Sequence, residues 1–345
     1  MTVVVRSFAK INLGLYIGRV RADGYHDLRT LYQTIALHDV IRVTVGRGRG
    51  IEISCQDPRV PLDSSNTCFR TVELVMGEIG AKGKVTVEIE KQLPVQGGLG
   101  AASSNAVATM MGLERALKKS LTGATRLRIA AEVGSDLPLF LVGGTVLGVE
   151  RGEEVYPLPD LAATPLVVVM PEVGVSTPKA FADWDRLVAP DDAAGLRSAW
   201  TGEDARLSTN NHELTHLGAS DRLLAVGRVL ASWLSDLPNT GAPAKGGSRA
   251  GSLLLDLVRT GIENDFEKVV FPQHPELRDI KLALERAGAR YASLSGSGSA
   301  LYGLFRSRAE AVKAAGRLRK RGVKAVATST LTRREYRSKF LVPGC

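Results

Sequence analysis

The chain has 345 residues, of which 44% are hydrophobic, and its 45 Lys and Arg against 36 Asp and Glu give a net charge of +9. This length exceeds the usual size of one hydrophobic core, so two domains are expected. The composition is too apolar for a disordered chain, and no window approaches the roughly 18 uninterrupted apolar residues of a membrane span.

The positive charge is compatible with a nucleic-acid partner or with attraction of an anionic small molecule. Lys and Arg are scattered except at 317–324 and 333–339, with little aromatic interleaving, which favours an anionic substrate. The cysteines Cys55, Cys68 and Cys345 are odd in number and lack C-x-x-C spacing, so neither a disulfide framework nor a zinc knuckle is indicated. A reducing cytoplasm fits best, and the N-terminus shows neither a signal-peptide nor a transit-peptide pattern.

The chain is predicted to open with strands, because β-branched and aromatic residues are concentrated at 3–8, 13–17 and 41–45. Asp23-Gly24 predicts a tight turn that projects Tyr25 and His26 outward. These two residues are either substrate-binding candidates or ordinary residues flanking a hairpin turn.

Lys10 and Asn12 lie two residues apart in a predicted strand and therefore share a face, with Ile11 and Leu13 on the other face. A buried lysine beside a carboxylate is a catalytic candidate. On an edge strand, a lysine serves only to discourage aggregation. The residues alone leave both interpretations open.

The stretch 91–109 joins a strand predicted at 85–89 to a helix predicted at about 103–117 through a glycine-rich loop. Glycines let a loop backbone turn at positive φ and approach a ligand closely, and a helix N-terminus attracts phosphate. Ser103, Ser104 and Asn105 are predicted to cap the helix. The spacing is neither a Walker A motif nor G-x-G-x-x-G, so an ordinary glycine turn before a helix remains the alternative.

Asp136 lies in 134–144, an apolar stretch framed by glycine and proline that follows a helix predicted at 124–133. A carboxylate in apolar surroundings needs a partner or a function. Asp136 is equally compatible with capping a helix that begins near Pro138 and with catalysis.

The pattern changes near residue 164, and the proline-rich run 157–165 is predicted to separate two domains, 1–160 and 161–345. The second domain is predicted to be α+β. Its expected elements are a strand at 166–170, a helix at 277–288, a strand at 291–294, a Gly-Ser turn at 295–299, a strand at 301–305 and a helix at 308–321.

The pentapeptide 212–216 matches H-E-x-x-H, in which two histidines on one helical face bind zinc and the glutamate is the base. No third histidine follows at the spacing of the longer protease motif. A zinc peptidase is therefore an alternative of a different enzyme class, and two surface histidines are the simpler interpretation.

Five stretches in order resemble the kinases of the galactokinase, homoserine kinase, mevalonate kinase and phosphomevalonate kinase (GHMP) superfamily. They are 9–17 with A-K-I-N-L, 23–26 with D-G-Y-H, 93–106 with the glycine loop, 134–138 with G-S-D-L-P, and 294–299 with L-S-G-S-G-S. The A-K-x-N-L start followed by D-G-Y-H is similar to the branch that phosphorylates 4-diphosphocytidyl-2-C-methyl-D-erythritol.

The resemblance implies an α+β fold of two domains, an N-terminal ribosomal-protein-S5-like domain and a C-terminal GHMP kinase domain, with the active site between them. It also implies ATP-dependent phosphorylation of the 2-hydroxyl of that cytidine diphosphate-linked polyol, a step of non-mevalonate isoprenoid synthesis. The implied cofactors are ATP and Mg²⁺, with the magnesium ligands unassigned. The implied partners are small molecules, not nucleic acid or a membrane, and the expected state is a cytoplasmic monomer or weak homodimer.

The resemblance also assigns site residues by their position in the motifs. Lys10 and Asp136 are the implied catalytic pair, and Asn12, Tyr25, His26, Thr177 and Phe181 are the implied substrate-binding residues. The implied ATP-phosphate loop comprises Pro94, Gly97, Gly98, Leu99, Gly100, Ala101, Ala102, Ser103 and Ser104. The implied glycine loop of the second domain comprises Ser295, Gly296, Ser297, Gly298 and Ser299.

The implied chemistry suits these residues, because a tertiary hydroxyl is a weak acid that needs positioning and a base at the moment of transfer. Asp136 would be that base, and Lys10 would keep it ionised and stabilise the transferred phosphoryl group. Ala101 and Ala102 depart from the family, which more often has glycines there. Alanine adopts positive φ reluctantly, so both are expected to be helical or extended.

Two further alternatives remain open. Sister kinases acting on homoserine or mevalonate lack the D-G-Y-H turn. An RNA-binding module that uses the S5-like half would bind RNA with a steep salt dependence.

Overall fold

The computed structural model describes residues 1–188 and 262–342. Within these residues, the first sheet has six strands in the order β3-β4-β2-β5-β6, with β1 paired to β2. The strands are β1 (Thr2–Val20), β2 (His26–Gly46), β3 (Gly50–Cys55), β4 (Lys84–Glu90), β5 (Thr145–Val149) and β6 (Glu154–Pro157). β3 and β4 are parallel, and the other pairs are antiparallel. The predicted strands 3–8 and 13–17 are parts of the single strand β1.

Helices cover the apolar face of the first sheet. They are α1 (Thr67–Ile79), α2 (Ala101–Leu117), α3 (Gly123–Val133) and α4 (Leu137–Val142). α2 is buried along most of its length, and Val107 and Leu113 belong to a core that includes Val5, Val43 and Val87 of the sheet. The helices predicted around 103–117 and 124–133 are confirmed.

The second sheet has four strands among the described residues, all antiparallel, in the order β10-β7-β9-β8. These strands are β7 (Pro165–Val169), β8 (Tyr291–Leu294), β9 (Leu301–Leu304) and β10 (Ala325–Ser329). The helices that follow α4 are α5 (Thr177–Val188), α6 (Glu267–Gln273), α7 (Pro275–Arg286), α8 (Arg308–Arg319) and α9 (Arg333–Phe340). Strand, turn, strand and helix over 291–321 occur as predicted.

The two sheets meet in a shared apolar cluster, in which Ile11 and Leu13 of β1 and Ile35 of β2 lie with Val168 and Tyr302 of the second sheet. The phenol of Tyr302 donates to the carbonyl oxygen of Asn12 at 2.8 Å. The middle of β1, which carries Lys10 and Asn12, is therefore at the junction of the two layers.

The C-terminal helix α9 returns to the first layer, where Tyr336 and Phe340 pack in the core of the first sheet. The division into 1–160 and 161–345 remains a prediction. None of the described helices is both long and apolar enough to cross a membrane.

Candidate active site

Lys10 and Asp136 form an ion pair in which Lys10 Nζ lies 3.4 Å from Asp136 Oδ2. The Lys10 side chain is 5% exposed and the Asp136 side chain is 31% exposed, so the carboxylate is the open member of the pair. Lys10 is on β1, and Asp136 immediately precedes α4. Asp136 occupies the N-cap position of α4, with Pro138 in the first turn, but its side chain makes no capping hydrogen bond and pairs with Lys10 instead.

Two neighbours fix this pair. Asn12 Oδ1 accepts a hydrogen bond from Lys10 Nζ at 2.7 Å, and Asn12 Nδ2 donates to Thr30 Oγ1 at 2.7 Å. The Tyr32 hydroxyl donates to Asp136 Oδ1 at 2.9 Å, and Lys10 Nζ lies 5.4 Å from the centre of the Tyr32 ring. Burial, and then the charge of Asp136, raise the pKa of Tyr32 well above its usual value, so the phenol remains a donor at neutral pH.

The glycine loop lies directly against Lys10. The backbone N–H of Lys10 donates to the Leu99 carbonyl oxygen at 3.0 Å. Gly100 has φ +68°, and a Cβ there would lie 3.0 Å from Lys10 Cγ and 2.8 Å from the Phe140 ring. The loop therefore passes close to the ion pair only because this position has no side chain.

The loop leads into α2, whose N-cap is Gly100 and not a serine or asparagine. The prediction that Ser103, Ser104 and Asn105 cap the helix is wrong, because the helix begins earlier, at Ala101. Ala101 and Ala102 are helical, as expected for alanines that avoid positive φ. The hydroxyl of Ser104 instead donates to the Phe8 carbonyl oxygen at 2.6 Å, which ties α2 to β1.

The turn 295–299 joins β8 to β9 and packs on the glycine loop. Ser295 Oγ donates to the Gly98 carbonyl oxygen at 2.9 Å, and the backbone N–H of Ala300 donates to the Gly97 carbonyl oxygen at 3.1 Å. A Cβ on Gly98 would lie 2.0 Å from the Ser295 carbonyl oxygen. A Cβ on Gly296 would lie 3.4 Å from Lys10 Nζ, so this turn also borders the ion pair.

The predicted substrate residues do not form one cluster, and Asn12 lies beside Lys10 as described above. His26 stacks on Phe181 of α5, with ring centroids 4.7 Å apart, and His26 Nε2 lies 2.7 Å from Asp185 Oδ1. Thr177 Oγ1 and Ser297 Oγ are 2.7 Å apart. Tyr25 is 54% exposed, and the Arg151 guanidinium lies 5.1 Å from the centre of its ring.

The glycine loop also lines a cavity of about 290 Å³. Its wall includes Pro94 and the loop 96–103, together with Asn66, Lys91 and Asn105. The backbone that the sequence predicts to bind phosphate therefore borders both this cavity and Lys10.

The H-E-x-x-H pentapeptide at 212–216 lies outside the described residues. Across 1–188 and 262–342, no group of three or more His, Cys, Asp and Glu side chains is placed to hold a metal ion. Sequence reasoning missed Tyr32 and Asp185. Their signals are weak: Tyr32 is the register partner of Asn12 across β1 and β2, and Asp185 lies one helical turn after Phe181.

Two family models match the chain, "GHMP kinases N terminal domain" over residues 66–144 and "GHMP kinases C terminal" over residues 249–324. A 4-diphosphocytidyl-2-C-methyl-D-erythritol kinase from Solibacter usitatus is 36% identical over 304 residues, which are 88% of this chain and 81% of that protein. One from Moorella thermoacetica is 32% identical over 326 residues, which are 94% of this chain and 98% of that protein.

Solved structures show the same fold. A crystal structure of 4-(cytidine 5'-diphospho)-2C-methyl-D-erythritol kinase matches with a TM-score of 0.66 and 27% identity, covering 95% of this chain and 98% of that chain. Homoserine kinase from Cytophaga hutchinsonii matches with a TM-score of 0.63 over 96% of this chain and 95% of that chain, at 19% identity, and shows the fold alone.

Two joined α+β layers, with a lysine–aspartate pair against a glycine loop at their junction, define a small-molecule kinase of the GHMP superfamily, as the sequence predicts. Within that superfamily, the chain belongs to the family of the 4-diphosphocytidyl-2-C-methyl-D-erythritol kinases.

Proposed function

We propose that this chain transfers the γ-phosphoryl group of ATP to the 2-hydroxyl of 4-diphosphocytidyl-2-C-methyl-D-erythritol, a step of non-mevalonate isoprenoid synthesis. The observation that carries the proposal is the contact of the Lys10–Asp136 pair with the glycine loop, through the 3.0 Å hydrogen bond from Lys10 N to Leu99 O. The names of relatives at 32% and 36% identity support the choice of acceptor.

In this proposal, the glycine loop binds the ATP phosphates through its backbone N–H groups and the N-terminus of α2. The loop comprises Pro94 and Gly97–Ser104. The adjoining cavity beside Asn66 and Lys91 receives the rest of the nucleotide. The turn 295–299 closes the site from the second layer, because it is hydrogen-bonded to the loop and Gly296 passes beside Lys10.

Asp136 is the proposed base, because its carboxylate is the exposed member of the buried pair and Oδ1 is already oriented by Tyr32. The acceptor hydroxyl gives its proton to Asp136 while its oxygen bonds to the γ-phosphorus. The bond from that phosphorus to the bridging oxygen breaks, and ADP leaves. Lys10 stabilises the negative charge on the transferred group.

The site is compatible with an Mg²⁺ ion that is held mainly by the nucleotide. Mg²⁺ commonly uses one or two carboxylates, substrate phosphates and waters, and does not need an all-protein cage. Because the described residues offer no cluster of three ligands, the nucleotide phosphates would hold most of the ion. When bound, the ion neutralises charge on the β- and γ-phosphates.

Asn12, Tyr25, His26, Thr177 and Phe181 are the proposed contacts of the acceptor substrate. The His26–Phe181 stack supports binding of the cytosine ring, since bases stack readily on aromatic side chains. The same proposal includes the domain division at residue 160 and a cytoplasmic location. It also includes a monomeric or weakly dimeric state and the absence of nucleic-acid and membrane partners.

The test is a coupled ADP-release assay with ATP and Mg²⁺, run in parallel with the cytidyl substrate, mevalonate, homoserine and no acceptor. Release that depends on the cytidyl substrate alone is the expected result. Release with another acceptor would overturn the assignment of the substrate. No release with any of the three acceptors would overturn the assignment of kinase activity.

A further inference from the structure

Asp39 of β2 is fully buried, with 0% exposure, and lies outside the catalytic pair. Its carboxylate accepts four hydrogen bonds, two from side chains and two from backbone N–H groups. They come from Lys91 Nζ at 2.6 Å, Gln92 N at 2.7 Å, Leu93 N at 2.8 Å and Asn105 Nδ2 at 3.1 Å.

These donors lie at both ends of the glycine loop. Residues 91–93 precede Pro94, where the loop begins, and Asn105 lies in the first turns of α2, just after Ser104. One carboxylate on a central strand of the sheet therefore fixes the entry and the exit of the loop. A buried charge is tolerated when it is paired and hydrogen-bonded, which is the case for Asp39.

Asn105 extends this connection to β1. Asn105 Oδ1 accepts from Ser7 Oγ at 2.6 Å, and the same hydroxyl lies 2.8 Å from Ser104 Oγ. Ser7 is three residues before Lys10. The exit of the loop is thus held against the strand that carries the catalytic lysine.

We propose that Asp39 is a positioning residue for the nucleotide: it touches no substrate but holds the glycine loop in the shape that binds the ATP phosphates. The proposal rests on the proposed kinase function. Backbone N–H groups bind phosphate only when the loop is ordered, so a loop released at both ends must be ordered at the expense of binding free energy when ATP binds.

Asp39→Asn tests the proposal, because the amide keeps the shape of the carboxylate but replaces one acceptor oxygen with an NH₂ group, and both oxygens of Asp39 face hydrogen-bond donors. If the binding-competent fraction of loops falls to about a tenth, the apparent Kd for nucleotide rises about tenfold. We therefore expect KM for ATP, and Kd for the non-hydrolysable analogue AMP-PNP measured by calorimetry, to rise about tenfold or more. KM for the cytidyl substrate should stay within about twofold.

Glu114→Gln is the matched control. Glu114 is also a buried carboxylate, 4% exposed, and pairs with Arg126 from the far end of the same helix α2. Both variants should lower Tm, because each removes the charge of a buried carboxylate that is paired with a cation. Only Asp39→Asn should weaken AMP-PNP binding.

A folded Asp39→Asn protein with wild-type affinity for AMP-PNP would overturn the proposal, as would equal weakening by Glu114→Gln. If Asp39→Asn does not fold, Asp39→Glu keeps the charge but displaces the carboxylate by one methylene, and it should raise the Kd in the same direction. Wild-type affinity in a folded Asp39→Glu protein would then overturn the proposal. Wild-type protein that binds AMP-PNP but phosphorylates no acceptor would instead count against the proposed function.

Discussion

His26 and Phe181 stack face to face across the two halves of the chain, with ring centroids 4.7 Å apart and ring planes inclined by 14°. His26 begins β2, and Phe181 lies in the first turns of α5. Asp185, one turn further along α5, holds the imidazole through a 2.7 Å contact with Nε2. His26 is therefore only 7% exposed, so the prediction that the Asp23-Gly24 turn projects it outward is wrong, whereas Tyr25 is exposed.

Phe181→Ala should raise KM for the cytidyl substrate by about tenfold or more, because stacking of a base on an aromatic ring contributes about 1–3 kcal/mol. KM for ATP should change little, because the nucleotide is proposed to bind along the glycine loop and in the cavity beside it, whose wall does not include Phe181. Steady-state kinetics with each substrate varied in turn makes the measurement.

Phe271→Ala is the control for Phe181→Ala, since Phe271 is also a half-buried aromatic of the second layer but packs near Lys281. His26→Ala should raise KM for the same substrate. An unchanged KM in both Phe181→Ala and His26→Ala would mean that these rings serve only the packing of the turn.

Tyr32→Phe should lower kcat roughly tenfold while leaving both KM values nearly unchanged, because loss of the 2.9 Å hydrogen bond lets Asp136 leave its position. Tyr336→Phe is the control, since that phenol is also buried but donates to the Phe140 carbonyl oxygen. A kcat that falls equally in both variants would indicate a general loss of packing and would contradict a role for Tyr32 in orienting the base.

Gly98→Ala should strongly weaken ATP binding and lower the free energy of unfolding by roughly 1–3 kcal/mol. The reason is double: φ is +72°, and the new Cβ would lie 2.0 Å from the Ser295 carbonyl oxygen. Gly123→Ala is the control, because Gly123 begins α3 and a Cβ added there would have no heavy atom within 4 Å beyond its own helix and chain neighbours. Urea unfolding and AMP-PNP titration of both variants measure the effect, and a Gly98→Ala protein with wild-type affinity would contradict the loop contact.

The free energy of unfolding should fall as pH rises above about 9, in part because burial raises the pKa of the Cys68 thiol from 9.0 to about 12. The unfolded chain releases this proton first, so it binds fewer protons than the folded chain. Stability is then lost at up to about 1.4 kcal/mol per pH unit for this group as pH rises through the folded pKa.

Urea unfolding at about pH 8 and pH 10 tests this behaviour, because the slope depends on the difference in bound protons between the two states. Cys68→Ala should reduce the loss between the two pH values, whereas Cys55→Ala, at a half-buried position, should not. Equal losses in wild type and Cys68→Ala would show that other groups account for the alkaline decrease.

Much of the fold could be predicted because local patterns and tertiary structure agree. The β-rich stretches around Val5 and Leu15 form β1, and the Gly-Ser turn at 295–299 lies between two strands as predicted. The predicted start of α2 was wrong, because Ser104, a residue type that favours capping, instead makes a long-range hydrogen bond. Ser104 bonds to Phe8, which lies far away in the sequence, and no local preference encodes that contact.

The site residues that lie in sequence motifs could be predicted. Those that reach the site through the pairing register of two strands could not. Lys10 and Asp136 come together as the motif resemblance implies. Tyr32 enters the site only because β2 pairs with β1 through a register shift between Phe8 and Lys10. Asp39 gives no signal in the sequence, since its four partners are brought to it by the fold.

The most direct test of the account is single-turnover phosphoryl transfer to the cytidyl substrate by wild-type protein and by Asp136→Asn, with rapid quenching and with AMP-PNP affinity measured in parallel. Removal of the base should slow transfer by a factor of about a hundred or more, since general-base catalysis typically contributes about 10²–10⁴-fold. AMP-PNP affinity should stay close to that of wild type. Transfer by Asp136→Asn at the wild-type rate would contradict the assignment of Asp136 as the base beside Lys10.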